Sequence, residues 1–459
     1  MGREEFRQHA PAPLKPRPLN IPEPFETALS NGLQLVIVQD RRLPLVSFRL
    51  AFRRGDANDP RTLPGLTQMM VGLLNEGTES RTSRQIAEEV ERLGASITAA
   101  SNSDYTILAA SALSMYTQDI LELMADVALR PSFPQNEIDL ARENTKQLLV
   151  QQRALPTFLA SERVSRVLFG EHPYAVVSPT PESLDAMARE QLADFHRSVL
   201  VPNNAVMIAA GDVRRDELIE LIGKLFGSWE RRKAPEPRFP SPPERANRAA
   251  YIVERPGSAQ SNIIIANLAI NRTSSDYFPM LLMNTILGAN PSSRLFMNLR
   301  EAKGYTYGAY SNLDARRERG AFRVTAEVRT PVTGAALKEF FYELERIREE
   351  AVSQKEIADA KSYLTGVFPI RIETQEGLIE QFVQINMLDL PADYLHIYRD
   401  CVNAVTIEEV QKVAQRHVTP DCAAIVIVGD AEEVLDQVKP FTEEIELYDT
   451  AGKRKEIPN

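Results

Sequence analysis

Disulfide bonds cannot be what holds this chain together. Cys401 and Cys422 are the only cysteines in 459 residues, too few for a disulfide framework, and they do not fix the redox compartment. Long apolar runs are absent too. No stretch reaches about 18 apolar residues, so no membrane span is expected. Residues 1–8 lack the basic-then-apolar layout of a signal peptide, which makes the cytoplasm the expected compartment, or the periplasm if a leader had been removed. Histidine is scarce: His9, His172, His196, His396 and His417 include no pair at the spacing that sets two metal ligands on one helix face. His172, His196 and His417 read as structural. No glycine-rich phosphate loop and no nucleophile elbow occurs. Positive charge is not in excess either, with 53 Lys and Arg against 63 Asp and Glu, a net charge of −10, which argues against a nucleic-acid partner.

What is present is an ordinary globular composition, 43% hydrophobic and 25% charged, on a chain long enough for two or more domains. Residues 231–248 carry five prolines and one large apolar side chain, so they can neither hold a helix nor bury much surface and read as a linker. One pattern recurs on both sides. Val201-Pro202-Asn203-Asn204 leads into an apolar run ending Gly211-Asp212, and Thr419-Pro420-Asp421-Cys422 leads into one ending Gly429-Asp430. The offset between matching residues is constant, and Glu137-Ile138 and Glu356-Ile357 repeat almost at the same offset. That points to a duplicated domain rather than a short-period solenoid.

The first copy mixes strands and helices. Asn31-Gly32 is a hairpin turn signal between strands at 25–29 and 33–39, and a third strand follows at 46–52. Helical spacing covers 66–74, 83–93 (closed by Gly94), 119–127, 137–152 and 190–199, with strands within 97–113 and at 205–210. The fold class is therefore α+β, two homologous domains each with a mixed or antiparallel sheet packed on helices. The expected boundaries are an N-terminal extension (1–23), a first domain (24–230), the linker (231–248), a second domain (249–445) and a tail (446–459).

The stretch Pro64 to Thr78 holds Gly65-Leu66, then Gln68, Val71 and Gly72, then Gly77-Thr78. It resembles the zinc-binding helix of the pitrilysin-type (inverted-zincin) peptidases, short bacterial form, in which the motif reads Gly-Leu-x-His-x-x-Glu-His-x-x-x-x-Gly-Thr. The flanking residues match; the three functional positions do not. Catalytic zinc requires about three nitrogen or carboxylate ligands and a carboxylate base for the bound water. Gln68 is a poor ligand, while Val71 and Gly72 can neither bind metal nor move a proton. The family's third ligand is a Glu some 75 residues further on, where this chain has no carboxylate between Glu143 and Glu162. The resemblance thus implies no metal in this chain.

Ser292 to Tyr307 contains Ser293-Arg294-Leu295, then Leu299-Arg300, Gly304 and Tyr307. This resembles the second functional motif of the same family, whose Arg and Tyr reach the zinc site from the C-terminal half. Alone, an Arg near a helix end and a Tyr on the next strand are a surface charge and a packed aromatic. In this setting the resemblance implies that Arg300 and Tyr307 bind a peptide carbonyl and stabilise its developing oxyanion, with Arg294 structural. The strand near Asp104–Ala110 corresponds to the edge that pairs with extended substrate in active relatives. The resemblance, spanning about residues 24–440, implies an accessory subunit of a heterodimeric zinc peptidase. Its partner would be a homologue carrying His-x-x-Glu-His and the zinc, its substrates peptides. The alternative is a non-catalytic scaffold or peptide-binding protein of the same descent.

Overall fold

The computed structural model describes residues 19–233 and 238–457. The first half builds β1 (Phe25–Ala28), β2 (Gln34–Gln39), β3 (Leu45–Phe52), β4 (Ser96–Ser101), β5 (Thr106–Leu113) and β6 (Ala205–Gly211) into one sheet, in the order β1-β2-β6-β3-β5-β4. Only β2 and β6 run parallel. The second half builds β7 (Ala249–Glu254), β8 (Gln260–Leu268), β9 (Thr306–Asp314), β10 (Ala321–Arg329), β11 (Ala424–Gly429), β12 (Ile445–Tyr448) and β13 (Arg454–Lys455) into the order β13-β12-β7-β11-β8-β10-β9. The recurring apolar runs of the sequence are β6 and β11. Both lie in a sheet interior and are buried along their whole length, which is why neither alternates between polar and apolar residues.

Local signals account for the element ends. The β1–β2 turn closes at Gly32, whose φ of 90° favours glycine, while Asn31 ties it to the Phe226 carbonyl at 2.7 Å. The helix Ser83–Leu93 opens on a Thr82/Gln85 capping box and stops at the left-handed Gly94.

The central strands of each sheet are buried on both faces, and in each case the second cover comes from the other half. One face of the first sheet, with Ile37, Phe48 and Leu50, packs on helices of its own half. The opposite face, with Val36, Val38, Ile208 and Ala210, packs with Leu378, Ile379, Phe382 and Val383 of the helix Gln375–Met387. Reciprocally, Leu159, Ala160, Val164 and Leu168 of the helix Pro156–Phe169 cover Ile264, Ala266, Val426 and Val428 of the second sheet. Polar contacts decorate the first docking: Arg49 of β3 meets Glu376 and, at 2.9 Å, Glu380, and Ser47 donates to Glu376 at 2.6 Å. Both carboxylates are about half exposed, so each pair is worth about 1 kcal/mol or less. Burying a leucine or phenylalanine is worth about 1.5–3 kcal/mol. Apolar docking therefore dominates the seam.

Two expectations need correction. The expected tail, residues 446–459, is part of the second sheet as far as Lys455: β12 joins β7 in parallel and β13 closes the sheet. They are held because Arg163 of the helix Pro156–Phe169 stacks on Tyr448 at 3.4 Å and donates to the Gly452 carbonyl at 3.1 Å. The strand near Asp104–Ala110, expected at a sheet edge, is β5, which pairs on both sides, with β3 and β4. The edge belongs to β4, whose small side chains alternate between half-buried and exposed.

Trp229 is the only tryptophan and packs edge-on against Phe52 of the first sheet at 6.0 Å, so it reports the first half. Phe382→Ala, in the second half, is predicted to lower the stability followed by Trp229 fluorescence in urea by about 3–5 kcal/mol. Glu376→Gln is predicted to cost about 1 kcal/mol or less. Equal losses for the two variants would contradict apolar dominance of the seam.

Candidate functional site

The degenerate motif sits on the helix Leu66–Gly72. Gly65 enters it at φ 91°, a left-handed conformation that suits glycine, and Asp59 caps it, accepting from the Gly65 and Thr67 amides at 2.7 and 2.9 Å and from the Thr67 hydroxyl at 2.5 Å. Gln68 and Gly72 fall on the exposed face, four residues apart; Val71 points into the core. The Gln68 amide is already engaged, donating to Asp56 Oδ2 at 2.8 Å. Asp56 in turn accepts from Ser101 Oγ of β4 at 2.5 Å. A Cβ added at Gly72 would meet nothing within 4 Å, so the space a second histidine would need is open.

These residues do not fit a zinc ion. One position offers a committed amide, one a buried isopropyl group and one no side chain. In the region of the third ligand, Glu143 on the helix Gln135–Arg153 pairs with Lys146 at 3.3 Å, and Glu162 pairs with Arg153 at 3.0 Å. Among the described residues no three His, Cys, Asp or Glu side chains gather in a way that could hold a metal ion.

Sequence reasoning missed Asp56 and Asp59, both beside the degenerate helix. Burial raises the Asp56 carboxyl above its ordinary range, against the bonds from Ser101 and Gln68. Burial also pushes Asp59 up to about 7, partly opposed by its bonds to Thr67. Aspartate just before a helix is a usable capping signal, but the six residues between Asp59 and Leu66 hide it.

Arg300 and Tyr307 lie where one helical segment turns into an edge strand. Arg300 belongs to Phe296–Ala302, which has π-helical geometry, a rare conformation that is frequent at functional sites. Its guanidinium rests 4.6 Å from the Phe296 ring centroid and 3.6 Å from Glu301, with about half its side chain exposed. Gly304, at φ 65°, reverses the chain into β9. Tyr307 is the second residue of β9 and 89% exposed. Among the described residues nothing bonds its hydroxyl. Among the described residues no hydrogen bond joins the Arg300 and Tyr307 side chains; the short turn holds them near each other along the chain.

Tyr307 opens onto a cleft of about 420 Å³ floored by β8 and β10, with Thr157 and Ser161 of the helix Pro156–Phe169 on its wall. Gly308 makes this shape possible, because a Cβ there would stand 2.6 Å from the Tyr310 ring. Arg294, by contrast, is structural: it is buried and forks onto Glu356 at 2.7 and 3.2 Å, holding that carboxyl down to about 2. His196 is likewise a core contact, its Nε2 2.9 Å from the Ala128 carbonyl. His172 accepts from the Tyr174 amide at 3.1 Å.

Two outcomes follow from this geometry. Installing Gln68→His, Val71→Glu and Gly72→His together is predicted not to give tight zinc binding in a competition titration. It is also predicted to destabilise the chain by several kcal/mol, because the glutamate enters the core; a stable variant holding one zinc would contradict the site as described. Asp59 takes up protons on folding, since its folded value of about 7 lies above its ordinary 3.8. Its stabilising contribution is complete below about pH 4 and is lost as pH rises through 7. Asp59→Asn should flatten the fall in stability between pH 4 and 8; an unchanged profile would rule Asp59 out as its source.

Residues 35–176 match the family description "Insulinase (Peptidase family M16)", and residues 186–364 match "Peptidase M16 inactive domain". A Bacillus subtilis relative named "Uncharacterized zinc protease YmxG" is 22% identical over 86% of this chain and 96% of its own. The Helicobacter pylori "Non-peptidase homolog YmxG" is 22% identical over 87% and 92%. Among solved structures, a peptidase M16 inactive domain from Pseudomonas fluorescens superposes with a TM-score of 0.83 at 27% identity, covering 89% of this chain and 98% of that one. Two domain descriptions of one family, in order and together spanning most of the chain, leave one assignment: this protein belongs to peptidase family M16, the pitrilysin-type family, in its short two-domain form.

Proposed function

We propose that this chain is the metal-free subunit of a two-chain zinc peptidase, acting on peptides bound between it and a homologue that carries His-x-x-Glu-His. The observation that carries this reading is Tyr307. A tyrosine on a sheet normally buries its ring and bonds its hydroxyl; this one is 89% exposed on an edge strand, beside a cleft. Arg300 stands at the turn just before it. Together they offer a phenol and a guanidinium, donors suited to a peptide carbonyl whose oxygen gains charge as its carbon is attacked. The first half contributes no such chemistry, because its motif positions carry Gln68, Val71 and Gly72. Zinc and the attacking water are expected from the partner. The match to a domain described as inactive supports a chain that does not cut peptides alone.

A second reading, a non-catalytic scaffold or peptide-binding protein, is favoured by the name of the Helicobacter pylori relative, "Non-peptidase homolog". Turnover separates the two. In the reconstituted pair, Arg300→Ala and Tyr307→Phe are each predicted to lower kcat/KM by about 10²–10³ while leaving the melting temperature unchanged, since neither side chain contributes to the core. Unchanged turnover in both variants would transfer support to the scaffold reading.

A further inference from the structure

The cleft beside Tyr307 contains a guanidinium that its surroundings only half neutralise. Arg323 projects from β10 on the same face as Thr325 and Glu327 and lines the cleft. Its one carboxylate partner among the described residues is Asp314, at 3.4 Å from Nη2. That same Asp314 oxygen is held more closely by Arg316, at 2.7 and 2.9 Å. One carboxylate thus serves two arginines. The Arg323 Nε is buried without a hydrogen-bond partner, while about a fifth of the side chain stays exposed. Burial holds Arg323 below the ordinary arginine range, with Asp314 opposing that and Arg316 reinforcing it. Glu327 does not relieve the imbalance. It stands four residues further along β10, about 13 Å away at strand rise, and accepts from Asn262 at 3.2 Å.

We infer that this cleft selects peptides bearing a carboxylate, which pairs with Arg323 while Glu327 accepts a peptide amide at the other end. The inference rests on the proposal that the Tyr307 cleft binds peptides and adds the class of residue it prefers. The arrangement suits an extended segment: cation and acceptor are separated by about four strand residues on a floor of two strands. A charge-assisted bond to a half-desolvated guanidinium is roughly twice as strong as a neutral one. The chain's net charge of −10 acts against acidic peptides at long range, so discrimination would be local and visible at moderate salt.

Calorimetric titration of the isolated full-length chain tests this with three decapeptides that carry no other charges. One has a central Glu and blocked ends, one a central Gln and blocked ends, and one a central Gln and a free C-terminus. The Glu peptide is expected to bind about tenfold more tightly than its blocked Gln counterpart. The preference should fall below about twofold in Arg323→Gln and in Thr157→Glu, the latter placing a carboxylate on the opposite wall. Thr157 is exposed in the first turn of its helix, where an acidic residue is favourable, so this variant should fold even if Arg323→Gln does not. An Arg323-dependent gain confined to the free C-terminus would support the carboxylate site and identify a chain end as its source. Equal affinities, no binding by any peptide, or a Glu preference that survives both variants would overturn the inference. The readout is binding without a partner chain, so a failed turnover test at Arg300 and Tyr307 and a failure here are separate results.

Discussion

The exchange of one helix between the halves is the contact on which the rest of this structure depends. Each sheet has a central strand that is apolar on both faces, β6 in one and β11 in the other, and each half supplies cover for one face only. The helices Pro156–Phe169 and Gln375–Met387 supply the missing covers crosswise. Leaving either face in water would expose a row of valine, isoleucine and alanine side chains, at roughly 1.5–3 kcal/mol for each large one. The halves are therefore bound as closely as two layers of one core. The hairpin turns add polar contacts to the same seam: Asp104 accepts from the Arg317 amide at 3.0 Å, the Tyr174 hydroxyl accepts from the Glu318 amide at 3.2 Å, and Arg316 reaches Ser103 at 3.2 Å.

That exchange also builds the candidate site. The wall of the Tyr307 cleft comes from the first half because the helix Pro156–Phe169 must lie on the second sheet. Beyond this cover, β9 ends the sheet and leaves Tyr307 in solvent. The two halves differ at their motif segments. In the first, Val71 lies in the core and Gln68 is bonded to Asp56, so the motif helix is a packed and capped structural element. In the second, a π-helical turn and Gly304 hold an arginine and a tyrosine at the surface, the arginine resting on Phe296 and the tyrosine almost wholly exposed.

Much of this was legible in the sequence, for identifiable reasons. The Asn31-Gly32 turn, the Gly94 helix stop and the repeated apolar runs are local signals, and each produced the element it indicated. The helix Pro156–Phe169 did not stand out, because it lacks a clean polar stripe. Glu162 and Arg163 are buried along with Leu159 and Val164, the arginine being needed to hold the C-terminal strands. Those strands were themselves misread as a tail, since their anchors lie nearly 300 residues away. The sheet edge was assigned to β5 instead of β4 because the resemblance was carried onto Asp104–Ala110, and alternation in β5 does not tell whether a strand has one neighbour or two. Arg300 and Tyr307 were singled out through their setting in a motif. Arg323 was not, because its sharing of Asp314 with Arg316 is a property of three-dimensional packing.

Isolation of this chain in its native assembly from source cells, followed by metal analysis and a peptide-cleavage assay, tests the central claim most directly. The account predicts a one-to-one complex with a family member carrying His-x-x-Glu-His, zinc confined to that partner, and cleavage abolished by a chelator. A chain that binds stoichiometric zinc by itself, or one recovered alone and inert towards peptides, would contradict it.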